Sequence, residues 1–138
     1  MAARGQALIY LDSSALVKLV RTEAESAALG RWLGLNPDPV VSSALARTEV
    51  ARAVLNGEER LRVRARSVLS AVDLVPMTND LLDEAATLTT VLRTLDAIHL
   101  ATACRLRADL HAFVAYDKRL LSAAADVGLL TVAPGADG

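Results

Sequence analysis

Four carboxylates carry the chemistry this sequence offers: Asp12, Glu49, Asp96 and Asp117. Asp12 closes the apolar run Leu8-Ile9-Tyr10-Leu11, and Asp117 follows Phe113-Val114-Ala115-Tyr116. Asp96 lies two residues after Thr94, in the first turn of a helical pattern, and Glu49 lies on the helical pattern that follows Val40-Val41. In an open parallel α/β sheet the strand C-termini share one edge, where ligands bind, so residues at these transitions are expected at a common rim. Carboxylates gathered there repel, and each has its pKa raised unless a cation neutralises the group. Hard Mg²⁺ or Mn²⁺ resolves that conflict: it takes carboxylate and water oxygens and engages only one or two protein carboxylates directly. The reaction that suits such an ion is phosphodiester hydrolysis, in which it activates a water and polarises the phosphoryl group.

Each acid also has an ordinary structural use. Asp12 and Asp117 suit helix N-caps, and Asp96 suits the positive end of a helix dipole. Glu49 could pair with Arg52 on a solvated face. Four independent caps need not converge, whereas the acids of one cation site must. On this reasoning the cap reading of Asp12 survives only if the other three acids lie elsewhere.

The elements that must do the positioning follow from periodicity. Short apolar runs at Ala7 to Leu11, Val40-Val41, Asp73 to Pro76, His111 to Tyr116 and Leu129 to Val132 predict strands. Between them, helical spacing predicts helices from Ser13 or Ser14 to Val20, from Glu23 to Leu35 and from Ala44 to Leu55. The last of these is capped by Ser42-Ser43 and stopped by Asn56-Gly57 in a left-handed turn. Further helices are expected from Glu58 through Val72, from Thr78 through Leu92, from Leu95 to about Leu106 with Thr94 as cap, and from Lys118 to Val127, closed by Gly128. Strands alternating with helices on short links predict a parallel sheet covered on both faces. The fold class expected is therefore α/β, with one domain over residues 1–138, a core at about 7–133 and short loose termini. Hydrophobic residues make up 53% of the chain and aromatics only 3%, so the core must be aliphatic.

Charge and composition remove several function classes. A formal net charge of -1 provides no global positive field for nucleic acid, so any polyanion site must be local. The single cysteine, Cys104, excludes an intrachain disulfide and a thiolate zinc cluster and fits a reducing cytoplasm. No apolar run approaches the roughly 20 residues needed to span a bilayer, so a cytoplasmic location and no membrane association are expected.

At the four acids the chain resembles the PIN-domain family, most closely the VapC ribonuclease toxins of bacterial type II toxin-antitoxin systems. Leu11-Asp12-Ser13-Ser14-Ala15-Leu16-Val17-Lys18 resembles the opening motif and Arg47-Thr48-Glu49-Val50 the second. Leu95-Asp96-Ala97-Ile98-His99-Leu100-Ala101-Thr102-Ala103 is similar to the third, and Ala115-Tyr116-Asp117-Lys118-Arg119-Leu120 to the fourth. The resemblance implies a three-layer α/β/α fold around a mostly parallel sheet of about five strands. It also implies a Mg²⁺- or Mn²⁺-dependent endoribonuclease that acts on tRNA or a ribosomal RNA loop. Such a protein is usually a homodimer, and forms a hetero-oligomer with a small VapB-type antitoxin that inhibits it. Asp12 and Asp96 match the positions that ligate metal directly. Glu49 and Asp117 match those that complete the pocket through water or a second metal. Ser13 stands where Thr is more common.

Around these acids, Arg93 is placed to meet phosphate. His99, one helical turn from Asp96, is expected either to pack near the sheet or to face the rim, while His111 begins a strand at the opposite edge. Arg60, Arg62, Arg64 and Arg66, with Arg47 and Arg52 upstream, make a basic helical hairpin that is a solvated face, an RNA surface or an antitoxin surface. Of three rivals, two remain at this level. A phosphoacceptor receiver domain needs an aspartate at the end of the third strand, whereas Asp73 precedes the apolar residues of that strand. The others are a housekeeping nuclease of the same family and a metal-silent binding module whose acids only cap helices.

Overall fold

The computed structural model describes residues 7–136. Of the loose ends expected outside residues 7–133, residues 1–6 and 137–138 lie outside the described residues. Five strands, β1 (Leu8–Leu11), β2 (Val40–Ser43), β3 (Asp73–Val75), β4 (Leu110–Val114) and β5 (Thr131–Val132), form one sheet in the order β3-β2-β1-β4-β5. Every pairing is parallel, with Tyr10 beside both Val41 and Phe113. The order reverses beside β1, so the switch-point crevice of this sheet lies between the ends of β1 and β4.

The strands are short and apolar because both faces are covered. Alternate residues of β1 point to opposite sides. Ile9 and Leu11 pack with Leu16, Leu29 and Val50 beneath α1 (Ser13–Val20), α2 (Ser26–Leu35), α3 (Ala46–Ala53) and α4 (Glu59–Ser70). Tyr10 packs with Leu100, Phe113 and Leu120 beneath α6 (Thr94–Arg105) and α7 (Lys118–Asp126). The remaining helix, α5 (Asn79–Ala86), lies against α6 through Leu81, Ala85, Ile98 and Ala101. The result is the three-layer α/β/α architecture expected, with an aliphatic core. No helix among the described residues is long and apolar enough to cross a membrane.

Several boundaries differ from the periodicity. The helix expected to reach Leu92 ends at Ala86, where the Thr87 hydroxyl donates to the Glu84 carbonyl; the β-branched Thr89-Thr90-Val91 does not continue it. Thr94 is the first residue of α6 and not its cap, a position held by Arg93. Ser42 and Ser43 extend β2 instead of capping from Ala44, and Ser43 Oγ accepts from the Leu45 N–H at 3.0 Å. Likewise α2 starts at Ser26, three residues after the predicted Glu23, with Ser26 Oγ accepting from the Glu23 N–H.

The glycines divide. Gly128 closes α7 with φ +92, as expected, whereas Gly57 is not left-handed. Its lack of a side chain serves close approach instead, because a Cβ there would stand 3.3 Å from both Leu61 Cδ1 and the Val54 carbonyl. The first part of the tail is also held: the Tyr116 hydroxyl donates to the Pro134 carbonyl at 2.8 Å.

Candidate functional site at the strand rim

Asp12 leaves β1 at the switch point, where its N–H donates to the Val114 carbonyl of β4. Its side chain caps α1: Oδ1 accepts from the Ala15 N–H at 3.0 Å and from the Ser14 hydroxyl at 2.7 Å. Oδ2 accepts no hydrogen bond among the described residues. The residue is only 4% exposed. Burial pushes its pKa above the ordinary value and the Asp96 charge adds to this, against the opposing influence of His99, Ser14 and the Ala15 N–H.

Asp117 repeats the arrangement after β4. Oδ1 caps α7 by accepting from the Leu120 N–H at 3.0 Å, and Oδ2 faces Arg93 Nη2 at 3.4 Å. Arg93 Nε also donates to Asp96 Oδ2 at 3.2 Å. One guanidinium, 75% exposed, therefore joins Asp96 in the first turn of α6 to Asp117 at the start of α7. Capping and convergence are thus compatible, contrary to the expectation that one excludes the other. A carboxylate has two oxygens, and each of these aspartates uses one for its helix.

Glu49 comes from α3 on the other side of the crevice. It does not pair with Arg52. Its Oε1 accepts from the Ser13 hydroxyl and lies 2.9 Å from His99 Nε2, which is itself 3.1 Å from Ser13 Oγ. Burial works to raise the Glu49 pKa, but the hydrogen bonds from His99 and Ser13, with the Arg93 charge, outweigh it and leave the group below its ordinary range. His99 is buried, 2% exposed, and also touches the rim, so the two placements expected of it hold together. Its Nδ1 lies 2.7 Å from the hydroxyl of Tyr10, whose ring stacks on Phe113 with centroids 5.3 Å apart. At the far edge of the sheet His111 Nδ1 meets Asp38 at 3.0 Å, away from these groups.

The contacts of Tyr10 and Ser14 with this cluster were not legible in the sequence. A signal existed for Tyr10: it is the one polar-tipped residue in β1, and a buried phenol needs a partner. Ser14 hid behind its role near a helix start.

The donor set is chemically suited to a hard cation. Four carboxylates are brought to one rim, linked through Arg93 and through the mutual influence of Asp12 and Asp96, with one guanidinium to offset them. Among the described residues no three His, Cys, Asp or Glu side chains form a ready-made metal cage. Mg²⁺ and Mn²⁺ do not require one, since water completes much of their shell. The imidazole at the rim has both nitrogens engaged, which leaves oxygen donors alone.

The basic hairpin is different in kind. Arg60 pairs with Glu58, and Arg62 and Arg66 pair with Glu59. Arg62 also donates to the Gly57 carbonyl, and Arg64 Nε donates to the Leu19 carbonyl at 2.7 Å. Arg47 and Arg52 are exposed on α3. A groove of about 710 Å³ runs between α1, α2 and α4, lined in part by Lys18, Arg21, Arg60 and Arg64. Within it Lys18 is already bonded to Glu23 and Glu25.

The family model for the PIN domain matches residues 9–126. The chain is 50% identical to ribonuclease VapC46 of Mycobacterium tuberculosis over 129 residues, covering 93% of this chain and 98% of that protein. It is 41% identical to ribonuclease VapC47 of the same species, over 94% of this chain and 98% of the relative. Among solved structures, Mycobacterium tuberculosis VapC20, described as a sarcin-ricin loop cleaving toxin, superposes with a TM-score of 0.72 at 19% identity, over 91% of this chain and 99% of that one. VapBC2 from Rickettsia felis, bound to a promoter DNA fragment, superposes with a TM-score of 0.70 at 12% identity, over 92% and 98%. At those identities the likeness is one of fold.

Proposed function

We infer how this molecule acts from one premise: the chain belongs to the PIN-domain family, and within it to the VapC ribonucleases. It is the toxin of a type II toxin-antitoxin pair, an endoribonuclease held in check by a cognate VapB-type antitoxin. It works in the cytoplasm as a homodimer and, when inhibited, as a hetero-oligomer with that partner.

The observation that carries the chemistry is the division of oxygens at the rim. Asp12 and Asp117 each cap a helix with Oδ1 and keep Oδ2 for the crevice, toward which Asp96 and Glu49 also converge. Asp12 and Asp96 would hold Mg²⁺ or Mn²⁺ directly, and Glu49 and Asp117 would complete the pocket through water or a second ion. When bound, the ion supplies Lewis acidity toward water and the scissile phosphate.

The chain's own residues do the rest. Burial makes the Asp12 charge costly in the free protein, so neutralisation by a cation is favourable there. Glu49, held ionised with Oε1 occupied, presents Oε2 to accept a hydrogen bond from the attacking water and align it. Arg93, largely exposed, offers its planar guanidinium to an RNA phosphate. Attack of water at phosphorus forms a new P–O bond and breaks the bond to the 3′ oxygen; the water gives up a proton to solvent and the 3′ oxygen takes one from it, leaving a 5′-phosphate and a 3′-hydroxyl. With few rings in the chain and Tyr10 and Phe113 buried, RNA is selected by folded shape and phosphate placement, as a tRNA or a ribosomal RNA loop.

The test compares wild type with folded Asp12→Asn and Asp96→Asn on structured RNA, with and without EDTA. Cleavage should require the divalent ion and both aspartates. Equal cleavage by all three proteins, or cleavage that survives chelation, overturns this function.

A further inference from the structure

His99 sits three residues after Asp96 on α6 and turns inward. Both ring nitrogens are engaged: Nδ1 with the Tyr10 hydroxyl at 2.7 Å, and Nε2 with Glu49 Oε1 at 2.9 Å and Ser13 Oγ at 3.1 Å. Packing between β1 and α6 does not itself call for an imidazole, because an apolar side chain of similar size would fill the space. What an imidazole adds is a rigid connection between two polar groups, with the role of each nitrogen set by what the other does.

Those roles can be assigned. The Tyr10 phenol is wholly buried, and a phenol carries its proton at neutral pH, so it is a hydrogen-bond donor here. Nδ1 is the partner at hydrogen-bond distance, 2.7 Å, with Ser42, Thr102 and the Ser43 backbone as further polar neighbours of the phenol. A neutral imidazole that accepts at Nδ1 carries its hydrogen on Nε2. That hydrogen then points at Glu49 Oε1, the oxygen that also accepts from Ser13.

We propose that Tyr10 and His99 form a directional hydrogen-bond relay that holds the Glu49 carboxylate at the rim with Oε1 occupied and Oε2 free, making His99 and Tyr10 positioning residues for hydrolysis. Neither touches RNA or the metal ion. Without the relay, the three torsions of Glu49 release its carboxylate toward the nearby Arg93 charge, and its free oxygen no longer faces the crevice. The relay extends from β1 through α6 to α3, three elements that the chain brings together from positions 10, 99 and 49. This assignment rests on Glu49 being an acid of the site.

The first measurement needs neither a variant nor a metal. A long-range ¹H–¹⁵N spectrum of the metal-free wild-type chain, taken well above the ordinary histidine pKa, should show His99 as the neutral tautomer protonated at Nε2. The tautomer protonated at Nδ1, or an imidazolium under those conditions, overturns the relay. Tyr10→Phe keeps the ring stacked on Phe113 and removes only the donor. It should relax the His99 tautomer preference and lower kcat about 10-fold with KM for RNA unchanged. His99→Leu should lower kcat by about 10- to 100-fold, the range typical of lost supporting hydrogen bonds, while His99→Gln, which retains an N–H donor, should recover part of it. Equal losses for Leu and Gln in folded proteins overturn the proposal, and if either variant fails to fold, the wild-type spectrum decides alone. Full cleavage by Glu49→Gln would instead overturn the role of Glu49 and leave the tautomer result standing, so the two failures are distinguishable.

Discussion

The strand rim and the α4 hairpin each collect charge of one sign, and they treat it in opposite ways. Along α4, Arg60, Arg62 and Arg66 have glutamates beside them, and Arg64 holds a backbone carbonyl of α1. At the rim, Asp96 and Asp117 share one guanidinium whose charge also reaches Glu49, and Asp12 is buried with its pKa driven upward. Matched surface charges contribute little to stability and leave little unsatisfied potential. Unmatched buried ones are costly and persist where a ligand is to resolve them. The contrast supports the proposal of chemistry at the rim and of a mainly architectural part for the hairpin.

The largest effects should come from the rim. Asp12→Asn and Asp96→Asn should each lower RNA cleavage on the order of 10³-fold, measured in single-turnover assays, as expected when a principal electrostatic element is lost. Retained cleavage would erase the distinction between the two regions. Glu49→Gln should lower cleavage about 10- to 100-fold, the scale of a lost outer-shell partner at a metal site.

Stability should move in opposite directions within the rim. The Asp12 pKa is raised, so its ionised form disfavours folding above that raised value, and the penalty disappears as pH falls through it toward the ordinary 3.8. Asp12→Asn keeps a competent cap. It should therefore raise Tm by about 2–5 °C near pH 7 in the absence of metal, with the gap closing below pH 3.8. Glu49 is lowered, so its ionised form stabilises the fold above the ordinary 4.5, and that contribution is lost as pH falls through the lower folded value. Glu49→Gln should lower Tm at neutral pH. Thermal melts of both variants from pH 3 to pH 8 test the pair, and a stability loss in Asp12→Asn would contradict the idea of a strained buried charge.

Smaller effects should follow from the cations. Arg93→Ala should raise KM for RNA several-fold while tightening Mn²⁺ binding in calorimetry, because Asp96 and Asp117 lose a competing counter-ion. Arg64→Ala, which removes a hydrogen bond between α4 and α1, should cost about 1 kcal/mol in denaturant unfolding. Arg60→Ala and Arg66→Ala should stay within about 0.5 kcal/mol and leave cleavage within twofold. A tenfold loss from either would move the hairpin from scaffold to RNA surface.

The strand-helix alternation was readable because each unit is specified locally. Apolar runs such as Leu8-Ile9-Tyr10-Leu11 stop at an aspartate that both ends the strand and starts the helix. Periodicity was less informative where tertiary contacts decide. Leu88, Val91 and Leu92 continue the helical spacing of α5, yet the chain leaves the helix at Ala86 and returns at Thr94 with Arg93 extended over Asp96. Gly57 looked like a left-handed stop, but its small size answers to Leu61 and the Val54 carbonyl. His99 seemed to require a choice between core and rim; burial depth is not encoded by one helical turn of spacing, and the side chain satisfies both.

By itself the sequence determined the layered parallel fold, the four acids and the strand ends that carry them, because hydrophobic period and capping chemistry act within a few residues. Only the tertiary structure decided how those acids are used. The division of Oδ1 and Oδ2, the bridge made by Arg93 and the chain from Tyr10 through His99 to Glu49 depend on hydrogen bonds and fields between residues far apart in sequence. Such interactions acquire direction and strength only when packing excludes water and fixes both partners.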